Sequence, residues 1–242
     1  MNQQYEHRLV AFIDILGFSA MVEKSVQDEE YRDKIFRALE QIQHQVNYNE
    51  EKKKEENRDF EMVQFSDSLV VSQRYIDTVS FSTFIMRINF IQKILADEGI
   101  LIRGGISAGD LYHKNTIAYG PAFIRAYKLE SSLADFPRII IDPKVMNLDI
   151  IPECESIENV KFNMNFYSWE GNKVPIILKD ADELYFVNYL YGMYEEPKIA
   201  SNLHQHLLSE LSQLQFDNLH DFKIFRKLKW NIDYISSCPW NN

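Results

Sequence analysis

Cysteine is almost absent from this chain: Cys154 and Cys238 are the only two in 242 residues. Neither belongs to a CxxC pair or to any spacing that suits a metal, which excludes a disulfide scaffold and a zinc finger. Both read as reduced thiols of a cytoplasmic protein. A long apolar run is missing too. No stretch reaches the roughly 20 residues of a membrane span, and the opening MNQQYEHRLVAFIDILGF has no basic flank and is interrupted by Asp14. Basic excess is the third absence. With 26 Lys and Arg against 36 Asp and Glu the formal charge is −10, which disfavours non-specific binding to nucleic acid or anionic membrane. The expectation is a protein without nucleic-acid or membrane partners, in which any phosphate ligand is held by a local group of cations and backbone N–H groups.

What is present is an ordinary globular composition, 45% apolar and 13% aromatic. Two charges stand out within it. Asp14 interrupts the apolar run LVAFIDILGFS, and Asp67 sits near the centre of MVQFSDSLVVS. An ionised carboxylate buried without a partner costs several kcal/mol. Two of them on neighbouring strands repel, so a cation belongs between them, and a hard divalent metal with oxygen ligands is the economical choice. That choice points to phosphate chemistry.

Apolar periodicity divides the chain into elements. Leu9–Ile15 reads as a buried strand, and Gly17 permits a tight turn into a helix. Residues 27–46 carry Ile35, Leu39, Ile42 and Val46 on one helical stripe. The charged run 47–59 reads as a solvated helix end and loop. Strands follow at Phe60–Phe65 and Leu69–Ser72, joined at Ser66-Asp67-Ser68, and then a helix over 77–97 that Gly99 closes. Further strands are expected at Ile100–Ser107, Thr116–Tyr119 and Arg138–Ile141, with a helix at Pro121–Leu133 begun by its proline. Beyond residue 150 a hairpin, Pro175–Leu178 with Leu184–Leu190, precedes amphipathic helices at 199–214 and 219–236. The first six elements run βαββαβ, the order of a ferredoxin-like α+β unit in which Asp14 and the Asp67 turn meet at one edge of the sheet.

The segments FIDILGFS, VQFSDSLVVS, IRGGISAGDLY and YGPAFIRAYKLESS, in this order and at this spacing, resemble the class III nucleotidyl cyclases. More narrowly, together with DADELYFVNYL and the tail FRKLKWNIDYI, they look like the bacterial Pycsar antiphage pyrimidine cyclases. The resemblance implies a class III cyclase core over residues 7–192 and a helical C-terminal extension over 193–242. It implies conversion of UTP or CTP to a 3′,5′-cyclic monophosphate and pyrophosphate, as a second messenger read by a separate effector. It implies two Mn²⁺ or Mg²⁺ ions per site, held by Asp14, Asp67 and the Ile15 carbonyl, and a triphosphate cradled by the backbone of Leu16, Gly17, Phe18 and Ser19. It also implies a homodimer in which the partner completes each site.

The family's asparagine and arginine on the third helix correspond here to Ile124 and Lys128. Lysine keeps the charge but loses the bidentate fork. Arg125, about 100° away around a helix, and Arg103 on its strand are the other candidate cations. The places from which purine cyclases read their base hold Val63 and Ile117, which favours a pyrimidine and leaves uracil and cytosine open. A catalytically silent nucleotide-binding domain and a purine cyclase are the alternatives. Among the remaining residues, Arg103 can instead pair with a carboxylate such as Asp110. Gly104-Gly105 reads as close backbone packing, and Phe84, Ile88, Ile91 and Leu95 as core or dimer interface. His204 and His206 splay apart on a helix, and His113 reads as a plain surface histidine.

Overall fold

A computed structural model describes residues 4–56, 59–146, 168–169, 172–173, 175–193 and 196–237. Residues 147–167 and Cys238, on which some of the sequence expectations fall, lie outside them. The element order is β1 (Glu6–Ile15), α1 (Phe18–Ser25), α2 (Glu29–Glu56), β2 (Phe60–Phe65), β3 (Ser68–Arg74), α3 (Thr78–Asp97), β4 (Ile102–Lys114), β5 (Ile117–Tyr119), α4 (Pro121–Leu133), β6 (Ile139–Ile141) and α5 (Pro143–Met146). The two-residue strands β7 (Ser168–Trp169) and β8 (Asn172–Lys173) follow, then β9 (Ile177–Lys179), β10 (Tyr185–Val187), a 3₁₀ turn (Tyr189–Met193), α6 (Pro197–Ser212) and α7 (Leu219–Ser236).

The main sheet is ordered β2-β3-β1-β4-β6-β10-β9. Its first four strands are antiparallel and carry the ferredoxin-like arrangement, with β1 between β3 and β4. The fold is therefore α+β, with helices α6 and α7 extending it. Because side chains alternate across a strand, β1 serves two cores. Leu9, Ala11, Ile13 and Ile15 face α2 and α3, where Phe84, Ile88, Ile91 and Leu95 are buried as core. Val10 and Phe12 face the other way, towards Ala122 and Ala126 of α4. A third apolar cluster joins Ala96 of α3 and the 3₁₀ turn to Leu203, Leu207, Leu228 and Ile232 of the C-terminal helices. Among the described residues no helix is long and apolar enough to cross a membrane.

Several boundaries shift from the sequence reading, β10 among them, which ends at Val187 and gives way to the 3₁₀ turn over Tyr189–Met193, and three differences bear on the site. Helix α2 continues to Glu56, so most of the charged run is helix rather than loop; it lacks Gly and Pro and is built from good helix formers. Strand β4 runs on to Lys114, because Gly109-Asp110 stays paired with Arg8 and His7 instead of breaking the ladder. A short helix, α1, precedes α2.

Close approach fixes α4 on the sheet. A Cβ on Gly105 would stand 2.6 Å from the Ala126 carbonyl oxygen and 2.6 Å from Leu129 Cβ. Only glycine lets the helix lie so near the strand. This proximity delivers the last turn of α4 to the end of β1.

Candidate active site

The end of β1 turns its polar residue, Asp14, to the same face as Val10 and Phe12. Asp14 pairs in register with Ser68 on one side and with Arg103 on the other. One residue on, the Ile15 N–H donates to the Asp67 carbonyl at 2.9 Å. Ser66, at φ 53°, makes the left-handed step of the β2–β3 turn. The sheet thus brings Asp14, Ile15 and Asp67 together, and both carboxylates are half-buried.

Arg103 is built into this edge. Its Nε donates to Asp14 Oδ2 at 3.1 Å and its Nη1 to the Ala134 carbonyl at 3.3 Å. Its Nη2 lies 2.7 Å from Glu130 Oε1, an ion-pair contact whose angle falls short of a hydrogen bond. The expected alternative partner, Asp110, is instead opposite His7 at the far end of β4. Glu130 is only 4% exposed. Burial pushes its carboxyl up; Arg103 opposes that shift, while Asp14 and Asp67 add to it. Asp14 is raised as well, by burial first and Asp67 later, against the hydrogen bond and charge of Arg103. Lys227 of α7 lies within electrostatic reach of Asp14, Glu130 and Arg103, and burial followed by Arg103 lowers its ammonium. Among the described residues, Asp14, Asp67, Glu130, Arg103 and Lys227 therefore share this edge, with Asp135 within reach of Lys227.

The turn after β1 narrows the predicted cradle. Gly17 takes φ 73° and is the N-cap of α1 without a side-chain cap, a conformation that favours glycine. The Leu16 N–H already donates to the Leu101 carbonyl at 2.9 Å, so Leu16 anchors the turn rather than offering its amide. Phe18 packs into the main core, and Ser19 is exposed. Gly17, Phe18 and Ser19 remain as backbone donors at a helix start, where anions are favoured.

The two α4 cations are not brought to Asp14 within one chain. Lys128 is exposed on the same helix as the exposed Ile124 and Tyr127, and it makes no hydrogen bond or ion pair among the described residues. Arg125 forms a bidentate pair with Asp142 at 2.5 and 2.9 Å. Burial alone would raise the Asp142 carboxyl, but bonds from Arg125 and the Lys144 N–H bring it below its ordinary value. His113 corrects the sequence reading: it is 5% exposed, its Nδ1 2.8 Å from Ser72 Oγ, which also accepts from Arg8 Nε at 3.0 Å. It sits inside the sheet's polar end because β4 is longer than its sequence suggested. Glu130 and Lys227 escape a sequence reading; each is an ordinary charged residue on an amphipathic helix, and no local pattern marks it.

Among the described residues no three or more His, Cys, Asp or Glu side chains form a group able to cage a metal. The Mg²⁺ or Mn²⁺ expected from sequence needs no cage: such ions take one or two carboxylates and complete their shell with water and substrate phosphate. Two carboxylates and an adjacent carbonyl fit that demand, provided Arg103 shares Asp14. Elsewhere, a cavity of about 280 Å³ between α2, α3 and α6 is lined by Lys34, Arg37 and His206; burial lowers the His206 imidazole, and Lys34 adds to it.

The chain is similar to a solved structure of a bacterial light-regulated adenylyl cyclase, at 14% identity, covering 83% of this chain and 99% of that one, with a TM-score of 0.45. A second structure of a bacterial light-regulated adenylyl cyclase gives 16% identity, 85% of this chain and 59% of that one, with a TM-score of 0.41. No family model and no curated protein matches the chain.

Proposed function

We propose that this protein is a metal-dependent nucleotide cyclase, converting UTP or CTP to the 3′,5′-cyclic monophosphate and pyrophosphate. The observation that carries the reading is the meeting of Asp14 and Asp67 across Ile15 at the sheet edge, in the segments whose order resembles class III cyclases. Divalent cations bound there would lower the pKa of the ribose 3′-hydroxyl and neutralise charge on the phosphates. In the reaction the bond from O3′ to the α-phosphorus would form, the bond from that phosphorus to pyrophosphate would break, and the proton of the 3′-hydroxyl would pass to solvent water. Asp14, Asp67 and the Ile15 carbonyl would hold the cations, and the Gly17–Ser19 amides would bind phosphate oxygens. Arg103 keeps Asp14 oriented and screens it from Glu130. Catalysis by such a site is positioning and charge stabilisation.

Lys128 is exposed beside Ile124 and Tyr127, which suits a role across a homodimer interface, where it would act on the partner's substrate. Val63 is buried among apolar neighbours and Ile117 is exposed without a polar group, a pair suited to a pyrimidine rather than a purine. A cytoplasmic role as the second-messenger generator of an antiphage system, with a separate effector for the product, belongs to the same reading. A catalytically silent nucleotide-binding domain is the second reading, favoured by the ion pair that Arg103 already makes to Asp14.

The test is incubation of the purified protein with each ribonucleoside triphosphate and Mn²⁺, with the products identified by mass. Cyclic UMP or cyclic CMP, absent in Asp14→Asn, is the expected result. Cyclic AMP or cyclic GMP would overturn the pyrimidine assignment. Intact triphosphates that nevertheless bind in a metal-dependent way would favour the silent domain.

A further inference from the structure

Helix α7 is pinned beside the site by an unusual anchor. Arg138, fully buried at 0% exposure, donates to Asp180 Oδ2 at 2.5 Å and pairs with Asp182. Trp230 Nε1 donates to the same Asp180 oxygen at 2.9 Å, and the Trp230 ring stacks on Phe136 with centroids 5.6 Å apart. One turn earlier, Arg226 lies 5.7 Å from the Phe136 ring centre. Phe136 closes the loop that begins at Ala134, whose carbonyl accepts from Arg103. A continuous set of contacts thus runs from α7 to the cation of the sheet edge.

Along α7, Lys223, Arg226, Lys227 and Trp230 recur at i, i+3, i+4 and i+7, a single helical face. Trp230 fixes that face on Phe136, beside Asp135 in the chain, and Lys227 lies within electrostatic reach of Arg103, Asp135 and Asp14. Lys227 is half-buried, and its ammonium makes no hydrogen bond or ion pair among the described residues. A cation held next to another cation gains little in the empty site. It gains a great deal once a polyanion enters.

We infer that Lys227 is a phosphate-binding residue of the nucleotide site, supplied by the C-terminal helix of the same chain to hold the pyrophosphate end of a nucleoside triphosphate. The inference rests on the cyclase reading and assigns that site a cation from outside the strand-and-turn motifs. It also gives the C-terminal helices a purpose, since they carry a second positive charge to the sheet edge beside Arg103. Charge-assisted bonds to phosphate are the strong ones, and they strengthen further as charge builds on the leaving pyrophosphate.

The experiment measures binding of inorganic tripolyphosphate with Mn²⁺ by calorimetry, together with KM and kcat for the preferred triphosphate. Lys227→Met keeps the aliphatic stem, Lys227→Arg keeps the charge, and Lys229→Ala, whose partner is Asp233 on the exposed face of α7, is the control. Lys227→Met should weaken tripolyphosphate by about tenfold or more and raise KM, Lys227→Arg should recover most of the loss, and Lys229→Ala should match wild type. Unchanged tripolyphosphate affinity in Lys227→Met, with wild type binding, would overturn the inference and leave the cyclase reading standing. So would a loss that Lys227→Arg fails to recover, since that marks a packing role. Wild type that turns over triphosphate yet binds no tripolyphosphate with Mn²⁺ would overturn the inference alone, and wild type that turns over no triphosphate would overturn the cyclase reading and the inference with it.

Discussion

Replacing Arg103 with methionine removes the one guanidinium that touches Asp14, Glu130 and the Ala134 carbonyl. Glu130, at 4% exposure, cannot turn to water, and Asp14 and Asp67 stand close enough to raise its carboxyl already. Breaking a buried pair by deleting one partner costs about 3–5 kcal/mol; Asp14 is partly exposed, so about 3 kcal/mol is the appropriate figure for the metal-free protein at pH 8. For a chain of this size that is a fall in melting temperature of roughly 6–12 °C. The penalty is one of charge and therefore depends on pH. Glu130 and Asp14 have raised carboxyls in the folded state, and removal of Arg103 raises them further. The folded variant takes up protons more readily than the unfolded chain, so the deficit is small below the unfolded carboxylate pKa of about 4.3 and grows as pH rises through the folded values. Thermal scans of wild type and Arg103→Met in EDTA, at pH 5 and pH 8, read this directly. A gap between the two proteins that is wide at pH 8 and narrow at pH 5 is expected, and Mn²⁺ at pH 8 should narrow it. The same gap at both pH values would refute the argument, because lost packing does not titrate.

Gly105→Ala should destabilise by about 1–3 kcal/mol, because its Cβ would meet the Ala126 carbonyl oxygen and Leu129 Cβ at 2.6 Å; chemical denaturation checks it, and a neutral result would mean that α4 shifts outward freely. His206 is held neutral by burial and Lys34, so its contribution to stability is present above the unfolded pKa of about 6.5 and is lost as pH falls towards the depressed folded value. His206→Gln should therefore lose less stability than wild type between pH 7 and pH 5, measured by denaturant midpoints, and parallel losses would contradict the assignment.

The sequence was legible where one physical rule acted alone. The apolar run through Leu9–Ile15 and the strands around Asp67 place those two carboxylates on neighbouring strand ends, and the βαββαβ order then joins them. Pro121 and the apolar spacing after it mark α4 to the residue. Legibility failed where two signals competed. The strand read from sequence stops at Ser107, yet pairing with β1 carries β4 on to Lys114, and so His113 reads as a surface residue although it is buried. Glu130 and Lys227 come from helices far apart in the chain; Glu130 meets Arg103 because Gly105 admits α4, and Lys227 comes within its electrostatic reach because Trp230 fixes α7. Long-range packing leaves no trace in local periodicity.

The anchor of α7 also has a consequence in time. On a ribosome adding residues at about 5–20 per second, β1 emerges at the start and Trp230 follows more than 200 positions later, an interval of roughly 10–45 s. Until then Arg138 can have Asp180, Asp182 and the Phe136 and Phe186 rings, and the ring of Phe136 has no indole to lie against. Both aspartates of the sheet edge are in the chain long before the helix that completes their surroundings. An unfinished chain would carry the proposed metal ligands without Lys227, and synthesis itself would delay assembly of the full charge arrangement until α7 is made.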